Sequence, residues 1–174
     1  QLINRNNPDT TESQYMRVIN TKTGALFATA TQMGPILSKQ SAEVVSALES
    51  YGSALGTAFQ LVDDALDLCV ESETLGKNQG DDIADGNPTL PVIYALQRGN
   101  ESQKKFIRDA IINSNKNHLP EILSAIESTQ AIAYTYQVAR EYAEKAREYL
   151  NVVPKSIYKD ALIALTKFSV ERAY

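Results

Sequence analysis

The chain has 174 residues, of which 43% are hydrophobic and 22% charged, with a formal net charge of −4 and an isoelectric point near 5.1. Such a composition suits one domain with a sizeable core and excludes a disordered chain. The acidic balance disfavours a general nucleic-acid binder, and no apolar run approaches the roughly 20 residues of a membrane span. The single cysteine, Cys69, cannot form an internal disulfide and fits a reducing, cytoplasmic setting. Gln1-Leu2-Ile3-Asn4 has no initiator methionine and no signal-peptide pattern, so the sequence reads as though it begins inside a longer protein.

Asn6 to Thr11 is a turn-rich opening in which Asp9 with Glu12, or Thr11 with Gln14, supplies an N-cap pair. A helical pattern then runs to about Met33 through Tyr15, Val18, Ile19, Leu26 and Phe27, and Gly34-Pro35 is expected to end it. A long second helix is expected from near Ser41 to about Cys69, with apolar residues spaced by three and four. Residues 71–88, punctuated by Gly76, Gly80, Gly86 and Pro88, read as one long loop of the kind that carries function. Helices follow at Thr89–Gln97, closed by a glycine C-cap signal at Gly99, at Ser102 to about Ile112, and at His118–Ile126. Two more are expected at Gln130–Leu150 and, beyond Pro154, at about Lys155 to Arg172. No segment alternates like a strand, so the fold class is all-α, a helical bundle with one long loop.

The chemistry concentrates in Phe59-Gln60-Leu61-Val62-Asp63-Asp64-Ala65-Leu66-Asp67. On a helix, Asp63 and Asp67 lie one turn apart on one face, and Asp64 lies about 100° round from Asp63. Asp63 and Asp67 are therefore expected to face one cavity, with Asp64 at its rim. Like charges at this spacing repel, and aspartate is a poor helix former. A hard divalent cation offsets that cost; Mg²⁺ commonly takes one or two carboxylates, with phosphates and waters completing its shell. A solvated helix face is the plainer reading of such a string, but the apolar flanks argue against it. Lys22-Thr23-Gly24 offers an ammonium and a hydroxyl suited to phosphate, although taken alone an exposed helix lysine is the better reading of Lys22.

Taken together, Lys22-Thr23, the Phe59–Asp67 string, Leu75-Gly76-Lys77, Gly80-Asp81-Asp82-Ile83 and Gly86-Asn87-Pro88-Thr89-Leu90-Pro91 closely resemble the second aspartate-rich region of trans-type polyprenyl diphosphate synthases. The opening Asn7–Glu12, with Tyr15-Met16, is most similar to the bacterial octaprenyl branch. The resemblance implies an isoprenoid-synthase-type bundle, of which residues 1–174 would be the C-terminal part. It implies Mg²⁺ bound to an allylic diphosphate, loss of diphosphate to an allylic cation, attack by isopentenyl diphosphate and proton loss. By the same resemblance Asp63 is the principal metal ligand, supported by Asp64 and Asp67, and Lys22 and Lys77 bind diphosphate. Thr23 and Gln60 lie close to the reacting carbons, Phe59 meets the homoallylic substrate, and Asp82 orients Lys77 or a metal-bound water. It further implies a homodimer, a long-chain quinone side-chain precursor as product, and a peripheral hand-off of that lipid without a membrane span.

Two departures are expected to matter. Asn87 stands where the family often has lysine, and no first aspartate motif with its basic cluster is present, so the chain alone is expected not to turn over substrate. A terpene cyclase would carry an NSE-type second motif, and a non-catalytic regulatory subunit would have lost its aspartates; neither fits as well. Cys69 is expected to be a buried structural thiol. Tyr134, Tyr142 and Tyr149 read as core or dimer packing.

Overall fold

The structure, a computed structural model, describes residues 4–69 and 79–172, and every regular element among the described residues is helical. α1 spans Glu12–Ile19, a π-helical turn Asn20–Gly24, α2 Ala25–Leu37 and α3 Ala42–Cys69. α4 (Asp81–Ala84), α5 (Leu90–Arg98), α6 (Glu101–Asn113) and α7 (Leu119–Ser128) follow. The chain closes with α8 (Ala131–Tyr149), a 3₁₀ turn at Leu150–Val152 and α9 (Ile157–Glu171). The all-α expectation holds.

Local chemistry sets most helix starts. At α1 the Thr11 hydroxyl accepts from the Gln14 N–H (3.3 Å) while the Gln14 side chain accepts from the Thr11 N–H (2.8 Å), the second of the two expected caps. Asn100 and Gln103 repeat this reciprocal box at α6, and the Ser156 hydroxyl accepts from the Lys159 N–H at α9.

Three expectations need correction. Pro35 does not stop the second helical run; it lies buried inside α2. Gly34 before it has no Cβ to meet the proline ring, which removes much of the usual restriction on a pre-proline residue. Termination comes later, where Lys39 takes a left-handed φ of 54°. There the Lys39 N–H reaches Ile36 O and the Gln40 N–H reaches Pro35 O, a Schellman arrangement with lysine in the position glycine usually holds. Residues 71–88 are not all loop, because Asp81–Ala84 forms the single turn α4. Gly99 ends α5 in an extended rather than left-handed conformation (φ −67°, ψ 163°).

The chain divides into two compact units, residues 1–18 with 63–136 and residues 19–62 with 137–174. The first unit is cored by Ile107, Ile111, Ile122 and Ile126 of α6 and α7, joined by Leu68 and Val92. At its edge the Tyr94 and Tyr134 rings stack at 4.1 Å, and the Tyr134 hydroxyl donates to the Glu12 carboxylate. The opening residues are clamped to the same unit. Asn6 donates its side-chain N–H to Ile111 O, Ile112 O and the Ser114 hydroxyl, serving carbonyls that the end of α6 leaves open. Asp9 pairs with Arg108 at 2.9 Å.

In the second unit, Tyr51 and Leu55 of α3 pack with Ala146 of α8 and Leu150, and the Tyr51 hydroxyl donates to Leu162 O of α9 (2.9 Å). α2 lies directly on α3. A Cβ on Gly52 would overlap the Phe27 carbonyl and the Thr31 hydroxyl, and one on Gly56 would meet the Phe27 ring. The Thr31 hydroxyl reaches across to Leu48 O at 2.6 Å. Two apolar stripes of this unit remain exposed among the described residues: Leu26, Met33 and Leu37 on α2, and Ile157, Tyr158, Leu165 and Phe168 on α9.

Candidate functional site

The last two turns of α3 are anchored by Leu61, Val62, Ala65 and Leu68, all buried. Between them stand the three aspartates. Asp63 and Asp67 are half-buried, whereas Asp64 is only 4% exposed, which corrects the expectation that Asp64 lies at the rim. The 100° rotation from Asp63 carries Asp64 inward, towards α1. There the Tyr15 hydroxyl donates to Asp64 Oδ2 at 2.6 Å. Burying a carboxylate is costly unless it is hydrogen-bonded, and a charge-assisted bond offsets that cost.

Gly80 and Asp82 lie against Asp67. Gly80, at φ 73°, turns the chain through a conformation that L side chains resist, and its N–H docks on Asp67 O at 3.0 Å. The Asp82 N–H then points to Asp67 Oδ2 at 3.4 Å. Lys116 holds this turn with bonds to Asp81 Oδ1 (2.7 Å) and Gln79 O (2.9 Å). Burial first, then the charges of Asp82 and Asp81, push the Asp67 carboxyl up to about 6, against the pull of the Asp82 and Asp81 N–H groups. Asn87 donates its backbone N–H to Asp82 O (2.9 Å) and its side-chain amide to Asp82 Oδ1 (3.4 Å), a role in this chain for the position where lysine was expected.

In the second unit, the expected phosphate and cation partners lie on the π-helical turn. Its wider coil is marked by the Ala25 N–H reaching back five residues to Asn20 O. Such turns occur frequently at functional sites. Lys22 is exposed and Thr23 half-buried, and the Thr23 hydroxyl donates to Gln60 Oε1 at 2.7 Å, joining two of the predicted residues. Next to Gln60, the Phe59 ring has Phe27 at 5.6 Å and the Arg172 guanidinium 3.7 Å from its centroid. Arg172 also donates to Phe59 O at 2.9 Å. Lys77 lies outside the described residues.

Several of these groups were not legible in the sequence. Tyr15 stands in the sequence as an apolar helix position and as part of the family resemblance, with no sign of its bond to Asp64, and Arg172 and Lys116 carry no motif at all. Gly52 and Gly56 did carry a signal, two glycines one turn apart in a helix. Cys69 is exposed rather than buried, being at the last turn of α3, yet partial burial still raises its thiol above the ordinary value.

The donor set suits Mg²⁺. Asp63 and Asp67 are oxygen donors one turn apart, and the like charge gathered around Asp67 favours a cation beside it. Among the described residues no three carboxylate, imidazole or thiol groups converge into a ready cage, so phosphate and water would have to complete the shell.

The fold and this constellation lead to one family. The sequence pattern of the polyprenyl synthetase family matches residues 1–129, and the chain belongs to that family. It is 44% identical to the octaprenyl diphosphate synthase of Haemophilus influenzae, over 100% of this chain and 53% of that protein. Its identity to the Escherichia coli octaprenyl diphosphate synthase is 45%, over 99% of this chain and 54% of that protein. The crystal structure of a polyprenyl synthase from Caulobacter crescentus, complexed with calcium and isoprenyl diphosphate, superposes with a TM-score of 0.91 at 34% identity, covering 99% of this chain and 53% of that one. The chain thus spans about half the length of the relatives it matches.

Proposed function

We propose that the chain supplies part of the active site of a magnesium-dependent prenyltransferase, which extends an allylic diphosphate with isopentenyl diphosphate to a long all-trans polyprenyl diphosphate. The observation that carries this reading is the turn that sets Asp82 against Asp67, one helix turn from Asp63, a gathering of like charge that a cation would relieve. The octaprenyl relatives favour a product of that length class, a quinone side-chain precursor. The calcium and isoprenyl diphosphate held by the Caulobacter crescentus synthase suit the same chemistry.

In this reading Asp63 is the principal metal ligand, with Asp67 beside it and Asp64 in support. Bound there, Mg²⁺ would neutralise charge growing on the departing diphosphate. Lys22 and Lys77 are the lysines that would bind the diphosphate and offset its charge. Thr23 holds the Gln60 amide so that its dipole, with the threonine oxygen, can steady positive charge on the reacting carbons. Phe59 presents an apolar face to the homoallylic chain and keeps water away. Asp82 shapes the turn at Asp67, and its carboxylate would orient Lys77 or a metal-bound water. The full assembly is a homodimer in the cytoplasm that hands its lipid product to a membrane surface; among the described residues no helix is long and apolar enough to cross one.

The remaining wall of the site is proposed to lie in sequence beyond these 174 residues. Calorimetry should therefore show magnesium-dependent binding of inorganic pyrophosphate, while labelled isopentenyl diphosphate should give no product with this chain alone. Robust product would sink the half-site proposal, and a lack of magnesium-dependent binding would sink the prenyltransferase reading.

A further inference from the structure

Of the three aspartates, the most buried one is held from outside its own helix. Tyr15 and Asp64 are each 4% exposed, and their contact is the short hydroxyl-to-carboxylate bond at 2.6 Å. Leu61, Val62, Ala65 and Leu68, its apolar neighbours along α3, are buried with it. Burial first, then the Asp64 charge, push the Tyr15 phenol well above its ordinary value, with the backbone N–H of Leu90, the first residue of α5, pulling the other way. One phenol oxygen therefore meets both the start of α5 and the carboxylate of α3.

We infer that Tyr15 is a positioning residue for the aspartate motif: by holding Asp64 it fixes the rotation of the last turns of α3, and so the direction in which Asp63 and Asp67 point. Asp64 then acts as an anchor rather than as a direct magnesium ligand. This rests on the proposed prenyltransferase reading and assigns roles that the reading leaves open.

The geometry favours an anchor for two reasons. A carboxylate with Oδ2 engaged by a buried phenol, in a position 4% exposed, has little access to a hydrated cation, and Mg²⁺ gives up its water reluctantly. Asp63 and Asp67 are half-buried, and so are better reached from solvent. A helix is also nearly rigid about its own axis over one turn, so a rotational constraint at residue 64 reaches residues 63 and 67.

The test is calorimetry of magnesium with inorganic pyrophosphate on the 174-residue chain and four variants, well below their melting temperatures and with helicity checked by circular dichroism. Asp64→Asn keeps an oxygen for the Tyr15 hydroxyl but loses the charge, and should weaken binding clearly less than Asp63→Asn does. Asp63→Asn should lose measurable binding. Tyr15→Phe should weaken binding about tenfold at unchanged helicity, the scale of one lost hydrogen bond to a charged group. Tyr15→Phe combined with Asp64→Asn should be no weaker than Tyr15→Phe alone, because both changes act on the same bond. Should Tyr15→Phe prove too unstable to assay, the contrast between Asp64→Asn and Asp63→Asn decides the anchor role. A loss in Asp64→Asn equal to that in Asp63→Asn, or parental binding in a folded Tyr15→Phe chain, would overturn the inference. No binding by the parent would overturn the prenyltransferase reading itself, and the role of Tyr15 with it.

Discussion

At Asp67 the demands of stability and of chemistry oppose each other. Its carboxyl, raised to about 6 by burial and by Asp82 and Asp81, binds a proton more tightly in the folded chain than in the unfolded one. Folded protein therefore loses stability as pH rises from about 4 through about 6, and its charge is a standing cost at neutral pH. Asp67→Asn should raise the melting temperature in metal-free buffer at pH 7.5, with the gain shrinking as pH falls through 6 towards 4. Partial solvent contact screens the repulsion, so the gain is put at ~1 kcal/mol, about 2–4 °C in a chain of this size. Differential scanning calorimetry with added EDTA checks it. Tyr51 shows the opposite case. Burial pushes its phenol up to about 12, so the folded chain keeps a proton that the unfolded chain loses. Stability from this source is complete below pH 10 and falls as pH rises towards 12. Urea midpoints between pH 9 and 11.5 should decline, less steeply in Tyr51→Phe, with Tyr15 maintaining part of the slope because its phenol is also raised. The residue types at these places were legible in the sequence; their directions were not. Which way Asp64 faces depends on the helices packed against α3, and periodicity within a single helix cannot supply that.

Among the elements, those with side-chain signals were read well. The Thr11–Gln14 and Asn100–Gln103 boxes lie close to where the sequence placed helix starts, because capping is local chemistry. The π-helical turn at Asn20–Gly24 was read as plain helix, since nothing in its composition separates a five-residue from a four-residue backbone step. Gly34-Pro35 misled for a related reason: the rule against proline in helices weakens when the preceding residue is glycine and the helix has only a turn left to run. The crossing of α2 over α3 supplies a discriminating experiment. Gly52→Ala places its methyl against the Phe27 carbonyl, which cannot move without moving α2, and should cost ~1–3 kcal/mol by chemical denaturation. Gly56→Ala meets the Phe27 Cγ, with the Phe27 Cβ and the Gly24 Cα close behind. Its cost should therefore be partly relieved in a Phe27→Ala background, which removes Cγ, while that of Gly52→Ala, set against a carbonyl, should not be.

For the whole molecule, the fold class was legible because helical periodicity runs nearly unbroken, and the family because its motifs keep their spacing. Division into two compact units was not legible, since it depends on which distant segments pack together. The expected gathering of Lys22, Lys77 and the aspartates into one working site came from the family resemblance rather than from composition or spacing.

The stripe of Ile157, Tyr158, Leu165 and Phe168 along α9 bears on how this chain behaves as a colloid. With the α2 stripe it leaves greasy surface on an acidic chain, and apolar surface of that kind drives molecules together as concentration rises. Light scattering should show an attractive interaction that strengthens on warming, as hydrophobic association does. Tyr158→Glu with Phe168→Lys, both at exposed sites, should weaken that attraction while shifting the unfolding midpoint by no more than about 0.5 kcal/mol. This surface would thus set how concentrated the chain can become before it precipitates, independently of how firmly it is folded.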